Sequence, residues 1–415
     1  MTSVTLKYPT QAAWPPECAL SGFTQTYWNF LTERKYAHQT KMAYMACVSH
    51  FTLWAAQTNL KVSDLSKDEV TKFVSLHIPR CDCPNRVQRT PIAIHASMNH
   101  LLIMLRDLGL LTKEASDDPI EEELLLFDKY MRDSRGLAQN TRGQRVRILR
   151  LYLSTNSNFS SGTSASISAD SLRKFLGKKM QSWSPASAAV LAGSLRGYLR
   201  YRAFCGDAIG HLVPIIASPA NWRLAPLPET LSVSEITQIL GSFSPDLPST
   251  NRAYAMLRCV VDLGLRSSEV VGIDLDDIDW SAGTIRIGMN KSRRVDILPL
   301  PHATGKAIVK YLRLERPTTL VRRLFVRHVA PVDKPLGSDA VRRSVREAYR
   351  RCGLSHTRVH IIRHTLASRI LESGGTLKEV ADVLRHRELN TALIYTKVDY
   401  NRLSAIGLPW PGVSS

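Results

Sequence analysis

The strongest constraint on the fold is a change of hydrophobic period across one proline-rich segment, SPANWRLAPLPE at residues 218–229. Each of its three prolines fixes φ and lacks an amide donor, so no helix runs through it. Upstream, apolar residues recur at helical spacing almost throughout. Downstream, helical runs are interrupted by short β-like runs. The chain is therefore expected to be mainly α with a small antiparallel sheet (α+β). Residues 218–230 act as a linker between helical parts and a mixed part at 231–415.

The helical portion divides again. In residues 1–115, Phe23, Tyr27, Phe30 and Leu31 share one helix face, and a second periodic run spans Thr40 to Ala56. Ser66 with Glu69 has capping-box spacing ahead of Val70, Phe73 and Val74. A loop with Pro79, Pro84 and Pro91 precedes a helix through Met98, Leu101, Leu102 and Leu105. Residues 116–217 open similarly: GLAQNT (136–141) echoes KYAHQT (35–40), a weak internal repeat. A Ser/Thr/Asn-rich loop, Ser154–Ser168, is followed by helices at about 168–181 and 185–204.

Charge narrows the partner. With 55 Lys+Arg against 36 Asp+Glu, the formal net charge is +19, which favours a polyanion. Between Lys129 and Arg223 stand 15 basic and 3 acidic residues. Arg142, Arg145, Lys174, Lys178, Arg196 and Arg200 recur along these helices and are the candidates for phosphate contact. The 44% hydrophobic content excludes a largely disordered chain. No apolar run reaches membrane-spanning length and no signal peptide is evident, so no membrane partner is expected. Seven scattered cysteines fit reduced thiols in the cytoplasm. His77, Cys81 and Cys83 resemble part of a metal site, but no fourth ligand is visible, and they read as structural residues. His360 and His364 have metal-pair spacing but lack the H-E-x-x-H glutamate, and His364 reads instead as a buried, hydrogen-bonded residue. The expectation is no metal and no cofactor.

In the mixed part, Ser232 and Glu235 cap a helix, and a further helix through Ala255, Leu257, Val260, Val261 and Leu263 ends near Gly264. VVGIDLDDIDW, GTIRIG and RRVDILPLP read as three short strands, with turns at Asp279–Gly283 and Gly288–Ser292. Helices are expected at about 302–314, 338–352, 360–373, 376–385 and 389–404. Taken singly, the polar residues here are ordinary. Arg266 enters a helix in GLRSSE, Lys291 sits at a hairpin tip, and His360 and Arg363 share a helix face. His386 follows a short helix, and Tyr395 lies nine residues later.

Their order is not ordinary. GLRSSE, a strand pair with Lys291 at its turn, HIIRHTLAS and VLRHRELNTALIYTKVD together resemble the tyrosine recombinase (phage integrase and Xer-like) family over about residues 118–410. The resemblance implies Arg266, Lys291, His360, Arg363, His386 and the nucleophile Tyr395 as catalytic residues, with Glu269 as a supporting acid. One departure is visible: Asn290 and Ser292 replace the glycines usual beside the hairpin lysine. The resemblance also implies a core-binding domain at 116–217, a catalytic domain at 231–415 and, in 1–115, an additional helical DNA-binding domain.

The implied activity is metal-independent DNA strand breakage and rejoining through a 3′-phosphotyrosyl intermediate, in the integration, excision or transposition of a mobile element. Residue chemistry is consistent with it. Two arginines can clamp nonbridging phosphate oxygens, and a tyrosine can attack phosphorus. Lys291 can protonate the leaving 5′ oxygen, His360 can take the tyrosine proton or orient the phosphate, and His386 can donate to the phosphate. Implied partners are double-stranded recombination sites, a homo-tetramer on DNA, and partner recombinases or accessory proteins, in a nucleoid-associated cytoplasmic setting. The other classes in view are a type IB topoisomerase and an inactive DNA-binding accessory protein. The tail from Thr396 carries Leu403, Ile406, Leu408 and Trp410, which suit packing on its own domain or on a neighbouring protomer.

Overall fold

The computed structural model describes residues 14, 19–83, 90–111, 118–155, 167–218, 228–288, 295–332, 334–386 and 392–395. The chain forms two compact units: residues 1–108 with 224–415, and residues 109–223. Nearly all regular structure is helical, and the described strands form one three-stranded antiparallel sheet. None of the described helices is long and apolar enough to cross a membrane.

The first helices are α1 (Thr24–Glu33), α2 (His38–Gln57), α3 (Lys67–Lys72) and α4 (Pro91–Asp107). Their apolar faces bury Tyr27, Leu31, Met45, Val48, Phe51, Met98 and Leu105. The Tyr27 hydroxyl donates to the Ser97 carbonyl at 2.8 Å, tying α1 to α4. Thr90 caps α4 ahead of Pro91, where a missing amide costs nothing. Ser66 caps α3 by accepting from the Glu69 amide at 3.2 Å. The Glu69 carboxylate instead holds Lys72 at 2.6 Å, one turn on.

The second unit packs α5 (Pro119–Asp133), α6 (Gln139–Thr155), α7 (Ala169–Met180) and α8 (Pro185–Phe204) around Phe127, Leu149, Tyr152, Leu172, Leu195 and Tyr198. Asp118, Ser168 and Ser184 cap α5, α7 and α8.

The mixed part begins with α9 (Val233–Gly241), whose Ser232–Glu235 capping box is complete in both directions. There follow α10 (Thr250–Leu263), α11 (Ser267–Gly272), β1 (Ile278–Asp279), β2 (Thr284–Ile287) and β3 (Asp296–Pro299). Then come α12 (His302–Leu314), α13 (Ser338–Arg351), α14 (His360–Glu372) and α15 (Leu377–Val383). β2 pairs with both neighbours and turns Ile285 and Ile287 into a core with Val260, Val270, Ile308, Tyr311, Phe325 and Tyr349. A smaller core gathers Ala367, Leu371, Val380, Leu384 and Tyr395. The Val270–Ile273 run is a correction: read as the start of a strand, its first residues lie in α11. Glu269 accepts from the Arg266 amide and so starts a helix there. The hairpin tip, part of the Ser/Thr-rich loop and linker, and the tail beyond Tyr395 lie outside the described residues.

One tight turn joins the larger core to the smaller one. Gly264 ends α10 with φ +59°, the left-handed conformation in which a side chain is strained. A Cβ there would also lie 2.9 Å from Leu366 Cδ2 and Leu384 Cδ2. Gly264→Ala is therefore expected to cost about 2–4 kcal/mol, combining strain and overpacking. Denaturant titration reads this directly, and a loss below about 0.5 kcal/mol would show that the turn relaxes freely.

Candidate active site

At Glu269 the start of α11 meets the turn after α15. At the start of α11, Arg266 donates its backbone amide to Glu269 Oε2 at 2.8 Å and Nη1 to Oε1 at 2.7 Å. The same carboxylate receives Arg385 Nη2 at 2.5 Å. Glu269 and Arg385 are nearly sealed, with side chains 3% and 4% exposed. Arg266 keeps 34% of its side chain exposed. Burial pushes the Glu269 carboxyl upward, but Arg385 and the Arg266 donors outweigh it, and the net shift is below the usual range.

Arg363 lies on α14, buried, and donates from Nη1 to the Gly264 carbonyl and from Nη2 to the Leu384 carbonyl. It thus joins the C-terminal ends of α10 and α15. Burial, then Arg266, bring its pKa down to about 9, so it remains charged at neutral pH. Three guanidinium groups around one carboxylate leave a local positive surplus. This arrangement suits a phosphate.

The histidines and the tyrosine surround these arginines. His360 opens α14, and its pKa is lowered by burial and then by Arg363 and Arg266. His364, one turn on, shares a 2.8 Å hydrogen bond between Nδ1 and the Tyr395 hydroxyl. The His386 ring lies parallel to the Tyr395 ring, 8° apart with centroids at 6.4 Å. Its buried Nδ1 has no hydrogen-bond partner among the described residues. Burial first and Arg363 among the charges hold His386 at about 4. Burial, then His360 and Arg363, hold His364 at about 4. Tyr395 is 2% exposed, and burial raises its hydroxyl pKa despite Arg363 and Arg266. At neutral pH the tyrosine is a phenol and His364 a neutral acceptor for its proton, when the ring's own proton sits on Nε2.

Of the residues expected from sequence, the structure gathers Arg266, Glu269, His360, Arg363, His386 and Tyr395 here. Lys291 falls between β2 and β3 in sequence and lies outside the described residues. The sequence leaves His360 to take the tyrosine proton or to orient the phosphate, and in the structure the hydroxyl's hydrogen-bond partner is His364. Sequence reasoning missed Arg385, which follows α15 at φ +51°, a position where glycine is usual. The only available signal was the R-H-R triplet at 385–387, in which nothing marks the first arginine as buried.

The six phosphate-contact candidates separate in the second unit. Arg142 pairs with Asp128 at 3.3 Å. Arg196 donates to the Ile216 carbonyl and Ser218 Oγ, both at 2.8 Å. Arg145 lies against Gly197. Lys174, Lys178 and Arg200 are exposed.

Comparison with known proteins places this fold. The model of the phage integrase family matches residues 229–402. The chain is 32% identical to the putative integrase/recombinase y4rA of Sinorhizobium fredii over 96% of each chain. It is 30% identical to the tyrosine recombinase XerC of Azotobacter vinelandii over 69% of this chain and 95% of that one. Among solved structures, the fold resembles a post-cleavage complex of the XerH site-specific recombinase bound to palindromic difH substrate. There the TM-score is 0.52 at 20% identity, over 70% of this chain and 97% of that one. It also resembles a lambda integrase dimer bound to a COC′ core site, with a TM-score of 0.51 at 16% identity over 77% and 89%. The chain belongs to the tyrosine recombinase family of integrases.

The buried carboxylate yields two expectations. Glu269→Gln leaves Arg385 without a counter-charge and is expected to destabilise the protein by about 3–5 kcal/mol, read from urea unfolding at pH 7. Acidification should destabilise the wild type for two reasons. His364 and His386 bind their protons at lower pH folded than unfolded, so stability falls between about 6.5 and about 4. Glu269 has a depressed folded pKa, so its contribution is full above about 4.3 and lost as pH falls further. An unfolding midpoint unchanged between pH 7 and pH 5 would contradict the histidine assignment.

Proposed function

We propose that the protein is a site-specific recombinase that cuts and rejoins DNA through a phosphotyrosine on Tyr395. The observation carrying this reading is the Tyr395 hydroxyl on His364 beside the Arg266, Arg363 and His386 cluster. Arg266 and Arg363 bind the nonbridging oxygens of the scissile phosphate, where charge builds in the transition state. The Tyr395 oxygen attacks phosphorus as its proton passes to His364, and the 3′ phosphate becomes tyrosine-linked. Lys291 protonates the departing 5′ oxygen, and His386 donates to the phosphate. His360, at the start of α14, orients that phosphate. A 5′ hydroxyl from a partner strand reverses the step, so neither nucleotide nor metal enters the chemistry. Tyr395 is buried in the free chain, so attack requires its hydroxyl to be handed outward to the bound strand.

The substrate in this reading is a pair of double-stranded recombination sites synapsed by four copies of the chain, in moving a mobile element. The basic second unit is the core-binding domain, and the helices before residue 115 form an extra DNA-binding domain. The resemblance to y4rA across nearly the whole chain favours an integrase-type protein with this extra segment.

A suicide substrate nicked beside the cleavage site tests the chemistry. Wild-type protein is expected to become covalently attached without added divalent cation, and Tyr395→Phe to give no attachment. Arg266→Ala and Arg363→Ala should slow attachment about 100–1000-fold. Attachment that persists in Tyr395→Phe refutes the nucleophile. Recombination between two sites, as against relaxation of a supercoiled plasmid by single chains, separates this reading from a topoisomerase.

The second unit carries its own prediction. Lys174→Ala, Lys178→Ala and Arg200→Ala should each reduce the slope of log K against log salt by about one, uniformly across DNA sequences. Arg142→Ala and Arg196→Ala remove internal bonds and should lower the unfolding midpoint instead. Equal salt slopes for wild type and the triple variant would show that this face does not meet phosphate.

A further inference from the structure

The three potential ligands seen in the sequence of the N-terminal helices acquire a fourth in the fold. His50, His77, Cys81 and Cys83 bring one ligand atom each into a cluster in which all lie within 4.8 Å of one another. His50 is on α2 and 1% exposed, 27 residues before His77. That separation hides it from any reading of local spacing. His77 ends a π turn, Phe73–His77, in which the Ile78 amide donates five residues back to the Phe73 carbonyl at 2.9 Å. Such turns re-aim side chains and occur often at functional sites.

The distances fit a metal better than a set of hydrogen bonds. In a tetrahedral zinc site the N···N edge is roughly 3.3–3.4 Å and the N···S edge roughly 3.5–3.6 Å, given Zn–N near 2.0–2.1 Å and Zn–S near 2.3 Å. His50 Nε2 and His77 Nε2 are 3.4 Å apart. His50 Nε2 to Cys81 Sγ and His77 Nε2 to Cys83 Sγ are both 3.5 Å. The sulfur separations also suit weak thiol hydrogen bonds. The nitrogen pair decides, because 3.4 Å is long for a hydrogen bond between two ring nitrogens and matches the edge of a zinc tetrahedron. Phe73 packs edge-on against His50 at 5.2 Å and stacks on His77 at 5.4 Å. Trp54 lies 6.1 Å from His77. These rings fix the imidazoles and exclude water from one side. Cys83 and His77 remain partly exposed, which leaves a route of entry.

We propose that His50, His77, Cys81 and Cys83 form a structural Cys2His2 zinc site that staples the segment after α3 to α2. Two Zn–S and two Zn–N bonds form, two thiol protons leave to solvent, and the imidazoles remain neutral, so the completed site carries no net charge. No electron is transferred. Thiolate and imidazole donors in a tetrahedron favour zinc over magnesium or calcium, which take oxygen ligands. The site is separate from the Tyr395 cluster and does not rest on the function proposed above.

The test uses the full chain, purified from zinc-supplemented cells and dialysed into zinc-free buffer. Elemental analysis should find about one zinc per chain. The Cys81→Ser/Cys83→Ser double variant should retain less than about a tenth of that, and Cys205→Ser, at an exposed cysteine elsewhere, should retain all of it. Replacement by Co2+ should give the strong visible absorption of a tetrahedral site and a near-ultraviolet thiolate band. Cys83→Ser alone should weaken that band while leaving the packing around His50 and Phe73 in place. A strong chelator should lower the thermal midpoint of wild type. Zinc-free protein that gives only the weak spectrum of octahedral Co2+, or a double variant that keeps its zinc, overturns the proposal. So does a Cys81–Cys83 disulfide in protein purified under reducing conditions. The Co2+ spectrum of wild type decides the matter even if the double variant does not fold.

Discussion

The geometry of the candidate site depends on a single buried carboxylate. Glu269 holds Arg266 on one oxygen and Arg385 on the other, and so fixes the start of α11 relative to the turn after α15. A carboxylate this deeply buried is unfavourable alone, and so is a sealed guanidinium, yet together they satisfy each other's charge and hydrogen-bonding capacity. The cost of desolvation is met by geometry, because the Arg266 amide and side chain both reach the same acid. The result is an arginine whose orientation is set before any ligand arrives, with a third of its side chain still open to solvent. Such pre-orientation is what electrostatic stabilisation of a developing charge requires.

Arg363 extends the same device through the backbone. Its guanidinium binds the carbonyls that end α10 and α15, groups left without partners wherever a helix stops. A cation at two helix C-termini is favourably placed against their dipoles. The left-handed Gly264 presents one of these carbonyls, and left-handed Arg385 follows directly on the other. The small core of Leu371, Val380, Leu384 and Tyr395 then seats the tyrosine beside the cluster. Helix termination, rather than any strand or loop insertion, thus aligns the charged groups.

Much of this was legible in sequence, for identifiable reasons. The Ser232–Glu235 cap, the Gly264 stop and the helical periods of α12, α13 and α14 are local signals, and each survives in the fold. The GLRSSE and HIIRH segments are ordinary taken singly, and it is the order of the motifs, with the family resemblance it carries, that singles them out. Failures occurred where the answer is not local. Val270 and Val271 suit a strand by propensity, but the Glu269 cap makes them helical. Nothing local in HIIRH says that Tyr395, 31 residues away, meets His364. Arg385 looks like its neighbour Arg387 until one is seen sealed against Glu269. His50 joins His77 and Cys81 across 27 and 31 residues, beyond any motif based on short spacing.

The same electrostatics sets the protonation of the tyrosine and the histidines beside it. Burial and the surrounding guanidinium groups hold His364 and His386 neutral, and burial keeps the Tyr395 proton in place against those charges. The positive surplus that suits a phosphate therefore also suppresses protonation of the imidazoles beside it. On the function proposed here, a bound phosphodiester offsets part of that surplus and makes it easier for His364 to accept a proton. Substrate binding and proton transfer are then coupled through one field rather than through a conformational relay. The coupling has a definite sign: an anion in the site raises the histidine pKa values toward neutrality and so favours removal of the phenolic proton. On the same reading, a chain without DNA lacks that anion, and Tyr395 stays a buried phenol.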